Sequence, residues 1–153
     1  MALTYSVSQR IDAPRSYVAA LLIDPDHYTH WMPGLQRAEL TSGTHAQPGA
    51  TTRFVFDQKG RSMSMTETVE ANDLPERYVV TYEDDAGRVW NRVENVLEDT
   101  GDGATLCTAH CEFQFKTFFM RILGRMMPGA FKKQSRTYLS DFKALAENTR
   151  PES

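Results

Sequence analysis

Residues 118–147 read FFMRILGRMMPGAFKKQSRTYLSDFKALAE. Phe131, Ser135, Tyr138, Phe142 and Leu145 recur at helical spacing, and Lys132, Lys133, Arg136 and Lys143 take other positions on the wheel. The pattern predicts one long amphipathic helix. Ahead of it, Phe118 to Met127 is apolar and methionine-rich, interrupted by Arg121 and Arg125. Pro128-Gly129 breaks or kinks the run. The polar tail, residues 148–153, is expected to fray. No other segment promises a long amphipathic helix, so whatever lies upstream has this one element to cover its apolar face.

What lies upstream reads as strands. Leu3, Tyr5, Val7 and Ile11 alternate with Thr4, Ser6, Ser8 and Arg10 in a half-buried strand. Asp12-Ala-Pro14 opens a short helix with proline in its first turn, and Val18, Leu21 and Leu22 form its apolar face. Asp24-Pro25, a capping acid before proline, starts a second short helix that Pro33-Gly34 ends. Strands are then expected at 35–40, 51–58, 61–70, 78–83, 88–97 and 104–115. Lys59-Gly60 marks a tight hairpin, and turn signals fall at 72–75, 84–87 and 100–103. The fold class is therefore α+β: a curved antiparallel sheet of about six to seven strands wrapped around a long C-terminal helix. Twist and curvature carry such a sheet away from the helix axis and leave a cavity between them.

At 153 residues the chain suits one domain with a sizeable core. An apolar content of 41% excludes a disordered chain. The net charge of −3, with signs interspersed, gives no field that would recruit nucleic acid. No apolar run approaches the roughly 18 residues of a membrane span. The opening MALTYSVSQR lacks the basic, apolar, small-residue order of a signal peptide. Cys107 and Cys111 share a strand face but are too far apart along it to bond to each other. They read as small buried residues in a reducing, cytoplasmic setting.

Three stretches carry a resemblance to a known family: IDAPRSYVAALLIDPDHYTHWMPGL at 11–35, TGDGATLCTAHCEF at 100–113 and YLSDFKALAE at 138–147. The first resembles a strand-Ala-Pro-helix opening followed by an aspartate and a tryptophan. The second resembles a Gly-Thr hairpin, here with Ala104 between Gly103 and Thr105. The third resembles a closing Leu-Lys-Glu helix end. Together they are similar to the START-like, or helix-grip, superfamily (SRPBCC), and within it to the bacterial polyketide cyclase/dehydrase-like branch. The resemblance covers the chain from Leu3 to about Glu147. It implies a small apolar ligand in a central cavity. It brings no catalytic set, so no catalytic residue is assigned.

The hairpins fix an expected register. If Lys59-Gly60 is the turn, Phe56 pairs with Met63 and Phe54 with Met65. Turns near Asp73, Asp85-Ala86 and Gly101 then place Val69 opposite Tyr78, Glu67 opposite Val80, Val80 opposite Asn91, and Tyr82 opposite Val89. Val93 falls opposite Ala109 and Asn91 opposite Cys111. A one-residue slip would invert a face, and the apolar residues stay together throughout. The expected ligand-binding set is Phe54, Phe56, Met63, Met65, Glu67, Tyr78, Tyr82, Asn91, Tyr138 and Phe142, with Trp90 and His110 outside. Glu67 and Asn91 interrupt the apolar wall on one row, with Asn95 one step along. Glu67 is either a structural acid, near the open end or paired with an arginine or tyrosine, or a ligand-orienting or general acid–base group. It is expected within hydrogen-bonding reach of Asn91 or of ligand.

Residues 24–39, DPDHYTHWMPGLQRAE, hold His27 and His30 three apart on a short helix. A zinc site needs three or four ligands, and His45 and His110 are isolated, so no metal or other cofactor is expected. Trp31 and Pro33 read as an elbow that closes one end of the cavity. No phosphate loop, dinucleotide fingerprint or nucleophile elbow occurs. The basic C-terminal helix is a solvated face, a gate at the pocket mouth, or, less favoured, a face that docks to a membrane surface or an acidic partner. Three functions stay open: a binding module for a lipid-, polyketide- or aromatic-type ligand, a cyclase or dehydratase using the same cavity, and a quinone-binding or partner-docking protein.

Overall fold

The computed structural model describes residues 2–58 and 60–149. Strand β1 (Ala2–Ile11) leads into α1 (Arg15–Leu22), a single 3-10 turn (Pro25–His27) and α2 (Tyr28–Trp31). Six strands follow: β2 (Leu35–Ser42), β3 (Thr51–Gln58), β4 (Arg61–Asp73), β5 (Arg77–Asp84), β6 (Val89–Asp99) and β7 (Thr105–Phe115). Helices α3 (Phe118–Met126) and α4 (Pro128–Thr149) end the described chain. The seven strands form one antiparallel sheet in the order β1-β7-β6-β5-β4-β3-β2. This is the expected helix-grip architecture.

Local chemistry explains the boundaries. Pro14 is the N-cap of α1 rather than part of its first turn, and its carbonyl accepts the first helical bond from Val18. The Asp24 side chain accepts from the Asp26 backbone N–H and starts the 3-10 turn, with Pro25 behind it. Thr117 caps α3 by accepting from Met120 N–H. Pro128 separates α3 from α4 as its missing donor requires. Asn148 and Thr149, expected to fray, continue α4: Thr149 Oγ1 donates to the Leu145 carbonyl and accepts from Tyr17. The rest of that tail lies outside the described residues.

The register keeps its faces but shifts its partners. Phe56 is opposite Met63, and Phe54 opposite Met65, as expected. Lys59 of that hairpin lies outside the described residues, and Gly60 beside it has φ +79°, which only glycine adopts freely. Downstream, Glu67 is opposite Tyr82 rather than Val80, and Val69 opposite Val80 rather than Tyr78. Val80 faces Val93, not Asn91, and Tyr82 faces Asn91, not Val89. Asn91 pairs with Phe113 instead of Cys111, and Val93 with Cys111 instead of Ala109. The physical reason is turn placement. The β5–β6 connection runs over residues 85–88, held by Ala86 and Gly87 N–H groups on Asp84, so it is centred one residue later than expected. Moving a turn centre by one moves each partner by two, which preserves the face. Between β4 and β5 the offset would be odd, but a bulge between Val69 and Ala71 absorbs one residue.

Helix α4 lies across the inner face of the sheet and is tied along β1. Tyr5 OH donates to the Phe131 carbonyl at 2.9 Å and lies 2.6 Å from Ser135 Oγ. Lys143 Nζ donates to the Arg10 carbonyl, and Asp12 N–H donates to Glu147. Phe142 and Ala146 are buried with Ile11, Val18, Leu97 and Cys107. Trp31 packs edge-on against Phe142, ring centroids 5.0 Å apart, so the elbow after β1 seals one end of the grip.

Candidate functional site

Between sheet and α4 lies a cavity of about 440 Å³. Its walls come from the inward positions of β3 to β7, from one face of α4, and from the elbow. Phe56, Met63, Met65, Glu67, Tyr78, Tyr82, Asn91, Tyr138 and Phe142 all line it. Phe54 does not. It is fully buried behind the wall, enclosed by the rings of Tyr28, Phe56 and Tyr82 at 5.7, 6.3 and 5.9 Å. Its parity is inward, but the short helix α2 covers it with Tyr28. Trp90 and His110 stand off the lining, and His110 is exposed, bonded to Ser6.

A polar row crosses the mostly apolar wall, apart from the polar groups at Asn95, Ser135 and the mouth. Glu67, Tyr82 and Asn91 are consecutive cross-strand partners on β4, β5 and β6. Tyr82 OH donates to Glu67 Oε2 at 2.9 Å. Glu67's partner is thus a tyrosine, Tyr82, rather than Asn91, because the two-residue shift puts the tyrosine between them. Glu67 is 6% exposed. Burial pushes its carboxyl up to about 7, against a smaller downward pull from the Tyr82 hydrogen bond and from His45. The same burial, with the Glu67 charge added, pushes the Tyr82 and Tyr78 phenols upward, so both stay neutral donors. Burial alone lifts the Cys107 thiol to about 12, which makes it an inert wall residue.

Two lining residues carry a buried polar atom with no partner among the described residues: Asn91 Oδ1, an acceptor, and Trp31 Nε1, a donor. Asn95, by contrast, spends its amide on the Tyr78 carbonyl. At the other end, only Arg88 and Gln134 among the lining residues are exposed, which places the mouth between the β5–β6 turn and the first turns of α4. Asp84, buried under that turn, holds Arg88 at 2.9 Å.

Sequence reasoning missed several wall positions. Phe131, Ser135 and Leu139 share the α4 face with Tyr138 and Phe142, and the helical spacing alone could have found them. Cys111 and Phe113 follow from the alternation of β7. Met120 had no local signal, since only the packing of α3 on β7 decides which of its faces turns inward. The described residues hold no cluster of histidine, cysteine and acid side chains suited to a metal. The His27 and His30 rings lie tilted to each other at 5.7 Å at the elbow and take no part in the lining.

Residues 2–147 match the family described as polyketide cyclase / dehydrase and lipid transport, and the chain belongs to it. Solved structures agree on the fold. Ara h 8.0201 superposes with a TM-score of 0.80 at 14% identity, covering 97% of this chain and 100% of that one. The Zhui aromatase/cyclase from Streptomyces sp. R1128 gives a TM-score of 0.75 at 17% identity, covering 96% and 94%. The di-domain ARO/CYC StfQ from the steffimycin biosynthetic pathway gives 0.78 at 11% identity, and the match spans 97% of this chain but 51% of that one. No curated protein sequence matches the chain.

Proposed function

We propose that the protein binds a small, largely apolar ligand of lipid, polyketide or aromatic type, one that carries at least one hydrogen-bonding oxygen. The observation that supports this is the polar row Glu67–Tyr82–Asn91 across three neighbouring strands of the largely apolar wall of a cavity of about 440 Å³. A buried unpaired polar atom costs about 1–3 kcal/mol. A ligand hydroxyl donating to Asn91 Oδ1 would recover that cost. Glu67, near half-protonated at neutral pH, can donate to a ligand carbonyl or accept from a ligand hydroxyl. Free cysteine thiols buried in the wall fit a reducing cytoplasm. The test is native mass spectrometry of the purified protein, with extraction and identification of what it retains, repeated on Glu67→Gln and Asn91→Leu. An oxygen-bearing apolar compound retained by the wild type and weakened about tenfold or more in both variants is expected. Equal retention by all three would remove the polar row from the proposal.

A second reading is a cyclase or dehydratase, favoured by the same carboxyl. A group titrating near 7 beside a neutral tyrosine suits proton transfer. Glu67 would take the proton from a carbon next to a ligand carbonyl and return it to a departing hydroxyl, which leaves as water. Turnover of a poly-β-keto or hydroxyketone probe, lost in Glu67→Gln while binding persists, would favour this reading. Binding without turnover would favour the carrier.

A further inference from the structure

Helix α3 presents its apolar face to solvent. Phe118, Phe119, Ile122 and Met126 are 78, 71, 42 and 75% exposed, and Met127 after them is 51% exposed. At 100° per residue the first four fall on one stripe of the helix. The opposite face is held against the sheet. Gly124 is buried, and a Cβ there would clash with the Phe115 ring. Met120 turns into the cavity. The orientation is therefore set by packing, and the outward stripe is not a helix that could simply roll over. Scattered exposed apolar residues need no explanation, but a contiguous patch of two phenylalanines, an isoleucine and two methionines does.

Charge says what the patch fits. Between Glu112 and Asp141 the chain has six basic residues (Lys116, Arg121, Arg125, Lys132, Lys133 and Arg136) and no acid. Those six are drawn from 17, against 20 acids placed elsewhere, so the rest of the chain carries −9. Lys116 is paired with Glu83, but the other five make no ion pair among the described residues. Arg121 and Arg125 lie along one edge of the apolar stripe, and the remaining cations sit on the first turns of α4. An apolar stripe edged by free cations, on a molecule otherwise negative, is the signature of a helix lying in an anionic bilayer surface. The mouth of the cavity, between Arg88 and Gln134, opens beside it.

We propose that α3 is an interfacial helix that seats the cavity mouth on an anionic membrane surface, with Phe118, Phe119, Ile122 and Met126 in the acyl boundary and Arg121, Arg125, Lys132 and Lys133 on lipid headgroups. The patch does not depend on which ligand the cavity takes. The test is flotation with phosphatidylcholine vesicles, with and without an equal part of phosphatidylglycerol, on the full chain. The wild type should float with the anionic vesicles and not with the neutral ones, and added salt should weaken it. Phe118→Ser/Phe119→Ser should weaken binding about tenfold or more with an unchanged melting temperature, since both rings are exposed. Arg125→Glu/Lys133→Glu should abolish the preference for anionic lipid. Failure of the wild type to float, or undiminished flotation of the double-serine variant, overturns the proposal. So does a dimer of the wild type that the serines dissociate without any vesicle binding, because the patch would then be a contact between copies.

Discussion

Glu67 stands on an apolar wall with one neutral partner, and that placement has a measurable cost. Its ordinary value of 4.5 becomes about 7 in the folded chain, so the native state holds the proton more tightly than the unfolded state does. Stability from this group is complete below pH 4.5, falls as pH rises from 4.5 to 7, and is flat above. A shift of that size corresponds to about 3 kcal/mol. Glu67→Gln mimics the neutral acid. It should therefore be more stable than the wild type at pH 8 and nearly equal to it at pH 4. Urea unfolding of both proteins at the two pH values measures the difference, and a constant offset would mean that folding does not shift the Glu67 carboxyl. The inward placement of Glu67 was legible from Met65 and Val69 on either side. Its bond to Tyr82 was not, because the tyrosine arrives from another strand at a position set by a turn.

The elements divide into those with one apolar face satisfied and one with its face left outward. α4 buries Phe142 and Ala146 against the sheet. α3 buries only its glycine side, close against Phe115. The Phe115 ring has little room to retreat, because Phe113 stacks on it at 6.1 Å and Phe131 packs tilted against it at 5.2 Å. Gly124→Ala should cost about 1–3 kcal/mol in chemical denaturation, by overpacking. It should also disturb ligand retention through Met120, the α3 residue in the cavity wall. A cost near zero would show that α3 can lift from β7 without penalty. The amphipathic pattern of α4 announced its inward face. The α3 pattern announced an apolar stripe but not its direction, which only the packing of Gly124 on Phe115 sets outward.

On the scale of the whole molecule, one residue joins the elbow, the helix and the sheet. Phe142 is buried among Val18, Leu97 and Cys107, with Trp31 edge-on across it. Phe142→Ala should cost about 3–5 kcal/mol, because the rigid sheet cannot collapse into the space. It should also open the cavity end that Trp31 closes. Thermal unfolding with and without a bound apolar probe such as an anilinonaphthalene dye would report both effects, and a loss below about 1 kcal/mol would show that the cavity end tolerates the gap.

The faces of the strands, the long closing helix and the proline-marked elbow follow from the sequence by itself, because each depends on neighbours two to four residues away. A period of two or 3.6 assigns a side chain to a face whatever happens elsewhere. Tertiary structure alone decided the cross-strand partners, the enclosure of Phe54 behind Tyr28, the partnership of Glu67 with Tyr82, and the outward turn of α3. Each of these is set by turn centres, by the bulge between Val69 and Ala71, or by a ring arriving from a distant element. A strand's alternation is unchanged by a two-residue slide along its neighbour, so nothing local in the sequence could tell the two registers apart.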